Sequence, residues 1–161
     1  MPTVRKGGGP RRAATALALV LGGFPMASAP HAGTVTPATE ALLKSSSYIY
    51  AATQRRDGRL SEFAPVWFVW EDGRIFFTTS PGSWKARRIA RGSPLTIRVG
   101  TEDGPTLVGR ATQVTDPALV DRMGRAYNEK YWIAWLGFFR PRSERVTAGK
   151  TIAYLVDVEE R

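Results

Sequence analysis

The sequence predicts a small antiparallel β-barrel, mainly β, with helices on its rim. Three observations carry that expectation. Six stretches rich in β-branched and aromatic residues recur along the body of the chain. Asp-Gly pairs, among them Asp57-Gly58 and Asp72-Gly73, fall between such stretches, and these dipeptides favour tight hairpins. Helical signals are few and sit at corners between strands. A chain of 161 residues suits a single domain with one substantial core.

The opening, MPTVRKGGGPRR, is basic and glycine-rich; residues 13–20 are apolar, and residues 21–29 end on small residues. That order is the order of a secretory signal peptide, so residues 1–29 are expected to be a signal-like segment. The apolar part is too short for a comfortable membrane span, and no stable span is expected. Arg11-Arg12 invites a twin-arginine reading. If the signal operates, the protein is exported to the periplasm or beyond. If the start codon is misassigned, the protein is cytoplasmic.

The body, residues 36–161, reads as one domain without repeats or linkers. Residues 36–46 (TPATEALLKSS) form a short helix, and residues 47–53 the first strand. Residues 63–70 (FAPVWFVW) are the second strand, apolar on both faces and so placed centrally in a core. Pro65 within it lacks a donor and marks an edge, a bulge or an opening. The Asp72-Gly73 hairpin leads into residues 74–79. Ser83 N-caps a helix running to Arg91, with Gly92 as its C′ residue. Residues 95–99 form a strand, then an acidic turn leads to a long strand over 106–115. Gly109 in that strand signals a bend or a close backbone contact. Asp116-Pro117 starts a helix, Asp as N-cap and Pro at its first position, and Leu119, Met123, Ala126 and Tyr127 mark one face. Residues 131–139 carry Trp132, Trp135, Phe138 and Phe139, too many large apolar groups for an ordinary exposed loop. They are expected to pack on the core, to roof a ligand pocket or to meet a second subunit. Residues 151–158 close the chain as the last strand.

The formal charge is +9, but Arg5, Lys6, Arg11 and Arg12 all precede the first acid, Glu40; without those four, 19 of the 23 bases face 14 acids, a net of +5. That balance suits a small anionic ligand. Nucleic acid is not expected as a partner, because the aromatics cluster in apolar runs instead of interleaving with bases. The chain has no cysteine, hence no disulfide, thiol nucleophile or thiolate metal site. His31 is its only histidine, which excludes a Ser-His-Asp triad and the usual zinc arrangements in the body. No metal site is expected, and enzymatic chemistry would have to come from a bound cofactor.

The stretch from Phe76 to Gly92 carries the most chemistry. A strand end, a Ser-Pro-Gly loop and a helix start bearing Ser83, Lys85, Arg87 and Arg88 form a corner that can receive a phosphate-sized anion. A capped surface helix with solvated bases is the bland alternative.

The ordered set of a strand, an Arg-x-Asp-Gly turn, a Pro-Val-Trp-Phe strand, an Asp-Gly hairpin, Phe-Thr-Thr and a Ser-x-Lys helix resembles the pyridoxamine 5′-phosphate oxidase-like flavin-binding split barrels. That superfamily includes the deazaflavin (F420)-dependent reductases. The resemblance spans about residues 47–158, the Leu-Val-Gly-Arg-Ala strand and the terminal Thr-Ile-Ala-Tyr-Leu-Val-Asp-Val strand included. It implies a six-stranded antiparallel split barrel of the FMN-binding type. It also implies a homodimer holding FMN, or alternatively F420, in the groove between subunits, and a small-molecule substrate. Lys85, Ser83, Thr78 and Thr79 would take the phosphate. Pro65, Val66 and Trp67 would line the isoalloxazine ring, largely through backbone atoms. Trp84 stands where pyridoxamine-phosphate oxidases often carry an arginine, a loss for which Arg87 and Arg88 could compensate. No arginine- and histidine-containing substrate segment follows the last strand, so pyridoxal-phosphate synthesis itself is not expected.

The implied activity is that of a flavin- or deazaflavin-dependent oxidoreductase of unknown substrate. No catalytic residue is assigned; Tyr127 or Tyr131 could serve in acid–base work, though core packing is the commoner role for such aromatics. The alternative function is a non-catalytic split-barrel protein that binds flavin, haem or a related tetrapyrrole.

Overall fold

The computed structural model describes residue 3 and residues 35–131 and 140–161. The signal-like segment (residue 3 apart) and the aromatic run 132–139 therefore lie outside the described residues.

Asp72 and Gly73, at φ 52° and 73°, make the two-residue turn that joins β3 (Phe68–Glu71) to β4 (Arg74–Thr79), with Glu71 opposite Arg74. Positive φ at both positions matches the right-handed twist of the flanking strands, which is why Asp-Gly occupies them. The remaining strands are β1 (Ile49–Thr53), β2 (Ala64–Val66), β5 (Leu95–Val99), β6 (Thr106–Val114) and β7 (Ile152–Glu160). All pair antiparallel in the order β2-β1-β5-β6-β7-β4-β3. The two end strands are consecutive in the chain, separated by Trp67 alone, so the sheet curls into a barrel open along one seam. This is the split antiparallel barrel that the sequence predicts.

The strand count is a correction. The single strand expected over residues 63–70 is two: β2 pairs with β1, while β3 pairs with β4. Pro65 offers no N–H to a second neighbour, and Trp67 leaves the ladder to stack on Tyr131. Nor is the stretch buried throughout, since Ala64 and Pro65 are exposed at the seam. Seven strands result where six are expected. The last strand also runs two residues further, to Glu160, whose carboxylate accepts from Thr36 N and Thr39 Oγ1, each at 2.6 Å. This ties the start of α1 (Pro37–Ser45) to the end of the chain.

The period of two in the strands builds two apolar layers. Phe68, Ile75, Phe77, Ile97, Leu107, Tyr154, Val156 and Val158 fill the barrel interior. Their neighbours Val69, Phe76 and Ala153 face outward and are covered by Val120, Met123 and Tyr127 of α3 (Pro117–Lys130). Gly109 of β6 approaches the backbone closely: a Cβ there would run into the carbonyl oxygen of Asp157 and Val156 Cγ1. Two short helices complete the fold: α2 (Trp84–Ile89), and α4 (Ser143–Thr147), which the sequence does not announce. Among the described residues no helix is long and apolar enough to cross a membrane.

Candidate functional site

β4 ends at Thr78 and Thr79, where its buried run Ile75–Phe77 gives way to half-exposed hydroxyls. Ser80 to Ser83 then turn back, with Ser83 N bonded to Ser80 O at 3.0 Å. The Ser83 hydroxyl caps α2 by accepting from Ala86 N at 3.0 Å, and it also meets Thr79 Oγ1 at 3.1 Å. At the far end Gly92, at φ 85°, closes the helix: Ser93 N reaches Arg88 O and Gly92 N reaches Ile89 O. Both caps fall where the sequence predicts them. They fix Lys85 in the first turn, over the end of β4.

Lys85 lines a cavity of about 240 Å³ together with Thr78, Thr79, Pro65, Val66, Trp67 and Tyr127. Burial pushes its ammonium group down to about 8. All 14 acidic residues lie among the described residues, yet none forms an ion pair with Lys85, and its Nζ has no hydrogen-bond partner there. A desolvated cation without a counter-charge, next to two threonine hydroxyls, is a site whose electrostatics a bound anion would complete.

Six of the eight residues expected at the site share this cavity. Ser83 stands behind it and acts through Thr79. Trp84 does not line it: its side chain is 65 % exposed and carries the Arg87 and Arg88 guanidinium groups over its ring, at 5.2 and 5.7 Å. Neither arginine lines the Lys85 cavity.

Tyr127 is the wall that the site expectation leaves out. Its hydroxyl donates to Trp67 O at 2.7 Å, across the seam. Tyr131, one turn on, stacks on the Trp67 ring at 4.8 Å and 6°. The Tyr131 hydroxyl accepts from Phe68 N at 3.0 Å and lies 2.7 Å from Phe68 O and 2.9 Å from Ser47 O. Its one proton serves one of those carbonyls at a time. The two tyrosines thus supply partners to backbone groups around Trp67, where the ladder is interrupted. Burial raises both phenols, Tyr127 well above its ordinary value and Tyr131 to about 12. Both hydroxyls are committed to backbone groups. Lys130, between them, donates to Leu43 O at 3.2 Å and lies 3.6 Å over the Phe68 ring.

Residues 35–159 match the family described as pyridoxamine 5′-phosphate oxidase. No curated protein matches the sequence. Solved structures with the same fold include an F420 reductase, 22 % identical, with 77 % of this chain and 95 % of that one covered and a TM-score of 0.52. A candidate pyridoxamine 5′-phosphate oxidase from Listeria innocua is 13 % identical, covering 75 % and 90 %, with a TM-score of 0.55. General Stress Protein 26 from Bacillus anthracis is 15 % identical, covering 74 % and 84 %, with a TM-score of 0.52.

Proposed function

The chain belongs to the pyridoxamine 5′-phosphate oxidase family, and on that premise we propose that it is an oxidoreductase holding FMN, or alternatively F420, against Lys85. The observation that carries the proposal is the half-buried Lys85 ammonium, without a carboxylate partner, beside Thr78 and Thr79. Those groups fit a phosphate: the lysine offers three donors and a charge, the threonines two hydroxyls. When bound, the flavin ring supplies the hydride or electron transfer. The chain's part is to hold and orient it. Lys85, Thr78 and Thr79 would anchor the phosphate, with Ser83 fixing the Thr79 hydroxyl. Pro65, Val66 and Trp67 would present their backbone to the ring, held in place by Tyr127 and Tyr131.

A second subunit is part of the proposal. At about 240 Å³ the cavity is smaller than the roughly 300–1,000 Å³ of ordinary small-molecule sites. It receives one portion of such a cofactor, and the seam at the exposed Ala64 and Pro65 leaves the rest to a partner copy. Export is also proposed, on the signal-like order of residues 1–29; N-terminal sequencing of the mature protein tests it.

Titration of the full chain and of Lys85→Ala with FMN and F420 tests the cofactor assignment, and light scattering of the loaded protein tests the dimer. Tight uptake that depends on Lys85 supports the reading. Uptake of neither cofactor overturns it.

A further inference from the structure

A second cavity, of about 170 Å³, shares no lining residue with the first. Four arginines converge on it from segments far apart in the chain: Arg55 and Arg56 from the turn after β1, Arg88 and Arg91 from α2 and its exit. The remaining lining residues, Gln54, Gly92 and Ser93, are uncharged.

The frame around these arginines is fixed. Gln54 N donates to Ser93 Oγ at 2.8 Å, tying the end of β1 to the turn before β5. Arg88 is half-buried, its guanidinium donating to the buried Thr53 hydroxyl at 3.3 Å. Gly92 and Ser93 are held by the helix cap described above. Nothing on this chain neutralises the cluster. None of the four arginines takes part in an ion pair among the described residues, and the residues outside that set contain no Asp or Glu. Asp57 senses Arg55, but its carboxylate is already bonded to Arg59, at 2.8 and 2.9 Å. Arg55, Arg56 and Arg91 are exposed and Arg88 is half-buried, so four like charges, partly screened by solvent, ring one polar cavity and make it favourable to an entering anion. Guanidinium forks match phosphate oxygens in pairs, and several of them favour a ligand with adjacent phosphates over a single one.

We propose that the cavity formed by Arg55, Arg56, Arg88 and Arg91 is an oligophosphate site, separate from the Lys85 cavity. Its ligand carries two or more linked phosphates, either free or on a nucleoside.

Isothermal titration calorimetry of the full chain at fixed ionic strength tests this, with tripolyphosphate, orthophosphate and ATP as probes. Tripolyphosphate should bind saturably and roughly tenfold or more tighter than orthophosphate, because the additional charge-assisted hydrogen bonds are made only by linked phosphates. ATP binding tighter than tripolyphosphate would assign the nucleotide source, and equal or weaker binding the free one; both carry the proposal. The double variant Arg55→Gln/Arg91→Gln should weaken tripolyphosphate binding about tenfold or more and leave FMN uptake unchanged. Lys85→Ala should do the reverse, which separates this site from the cofactor proposal. Three results would overturn it: no saturable heat with tripolyphosphate, orthophosphate binding as tightly, or oligophosphate binding that follows Lys85 and ignores the arginines.

Discussion

The Tyr127 hydroxyl donates to the Trp67 carbonyl at 2.7 Å and thereby fastens α3 to the seam where the barrel opens. The same tyrosine packs edge-on against Phe76, its ring centroid 6.3 Å away, so one side chain joins the outer apolar layer to the wall of the Lys85 cavity. Removing only the hydroxyl separates these roles. Tyr127→Phe keeps the packing and should destabilise the fold by about 1–3 kcal/mol, the cost of taking a partner from a buried polar group. Urea denaturation of the two proteins measures it, and an unchanged midpoint would mean that the seam does not depend on this bond.

Lys85→Met should have opposite effects on the free and the loaded protein. In the free protein it replaces a desolvated, unpartnered ammonium with an apolar chain of similar length, so thermal stability near neutral pH should rise. FMN affinity should fall by roughly 10–100-fold, the equivalent of losing a charged hydrogen bond. Arg91→Ala, outside this cavity, should leave FMN affinity unchanged. A fall in both properties on Lys85→Met would point to a purely structural lysine.

Lysine ionisation gives a pH signature. Burial lowers Lys85 and Lys130 to about 8, whereas the unfolded chain keeps both protonated to near the ordinary 10.5. Between these values the unfolded state binds more protons, so the stability of the free protein should rise with pH from about 8 until tyrosine ionisation begins near 10. FMN affinity should run the other way: roughly level between about 7 and 8, then declining as the free protein loses the Lys85 proton. The phosphate is already dianionic there, its second ionisation falling near 6. Calorimetric titrations across this range would show the decline, and Lys85→Arg should abolish it if the substituted protein still binds.

Gly109→Ala should destabilise the barrel by about 1–3 kcal/mol or more, because the new methyl meets backbone that cannot move aside. The added Cβ would stand 2.8 Å from Val156 Cγ1 as well as against the Asp157 carbonyl. Thermal denaturation checks this; an unchanged midpoint would contradict the close β6–β7 approach.

Features governed by adjacent residues were legible in the sequence. Asp72-Gly73 defines its turn by backbone preference, Ser83 and Gly92 cap α2, and Asp116-Pro117 starts α3, each through groups within a few positions. The gathering of Pro65, Val66, Trp67, Thr78, Thr79 and Lys85 came from the ordered resemblance, since no local rule brings β2 to the end of β4. What escaped depends on distant partners. Trp67 leaves the ladder because Tyr131, 64 positions away, offers a ring and a hydroxyl to the interrupted strand. Arg55 and Arg91 look like separate solvated bases until the fold sets them around one cavity. Trp84 stands beside Lys85 in sequence, but α2 turns it outward.

The most direct test of the central claim is a visible absorption and fluorescence titration of the full chain with FMN and with F420. Saturable uptake of one of them at one site per chain, with altered flavin spectra and loss of uptake in Lys85→Ala, is the predicted result. A protein that leaves both spectra unchanged would contradict the assignment of the Lys85 cavity as a cofactor site.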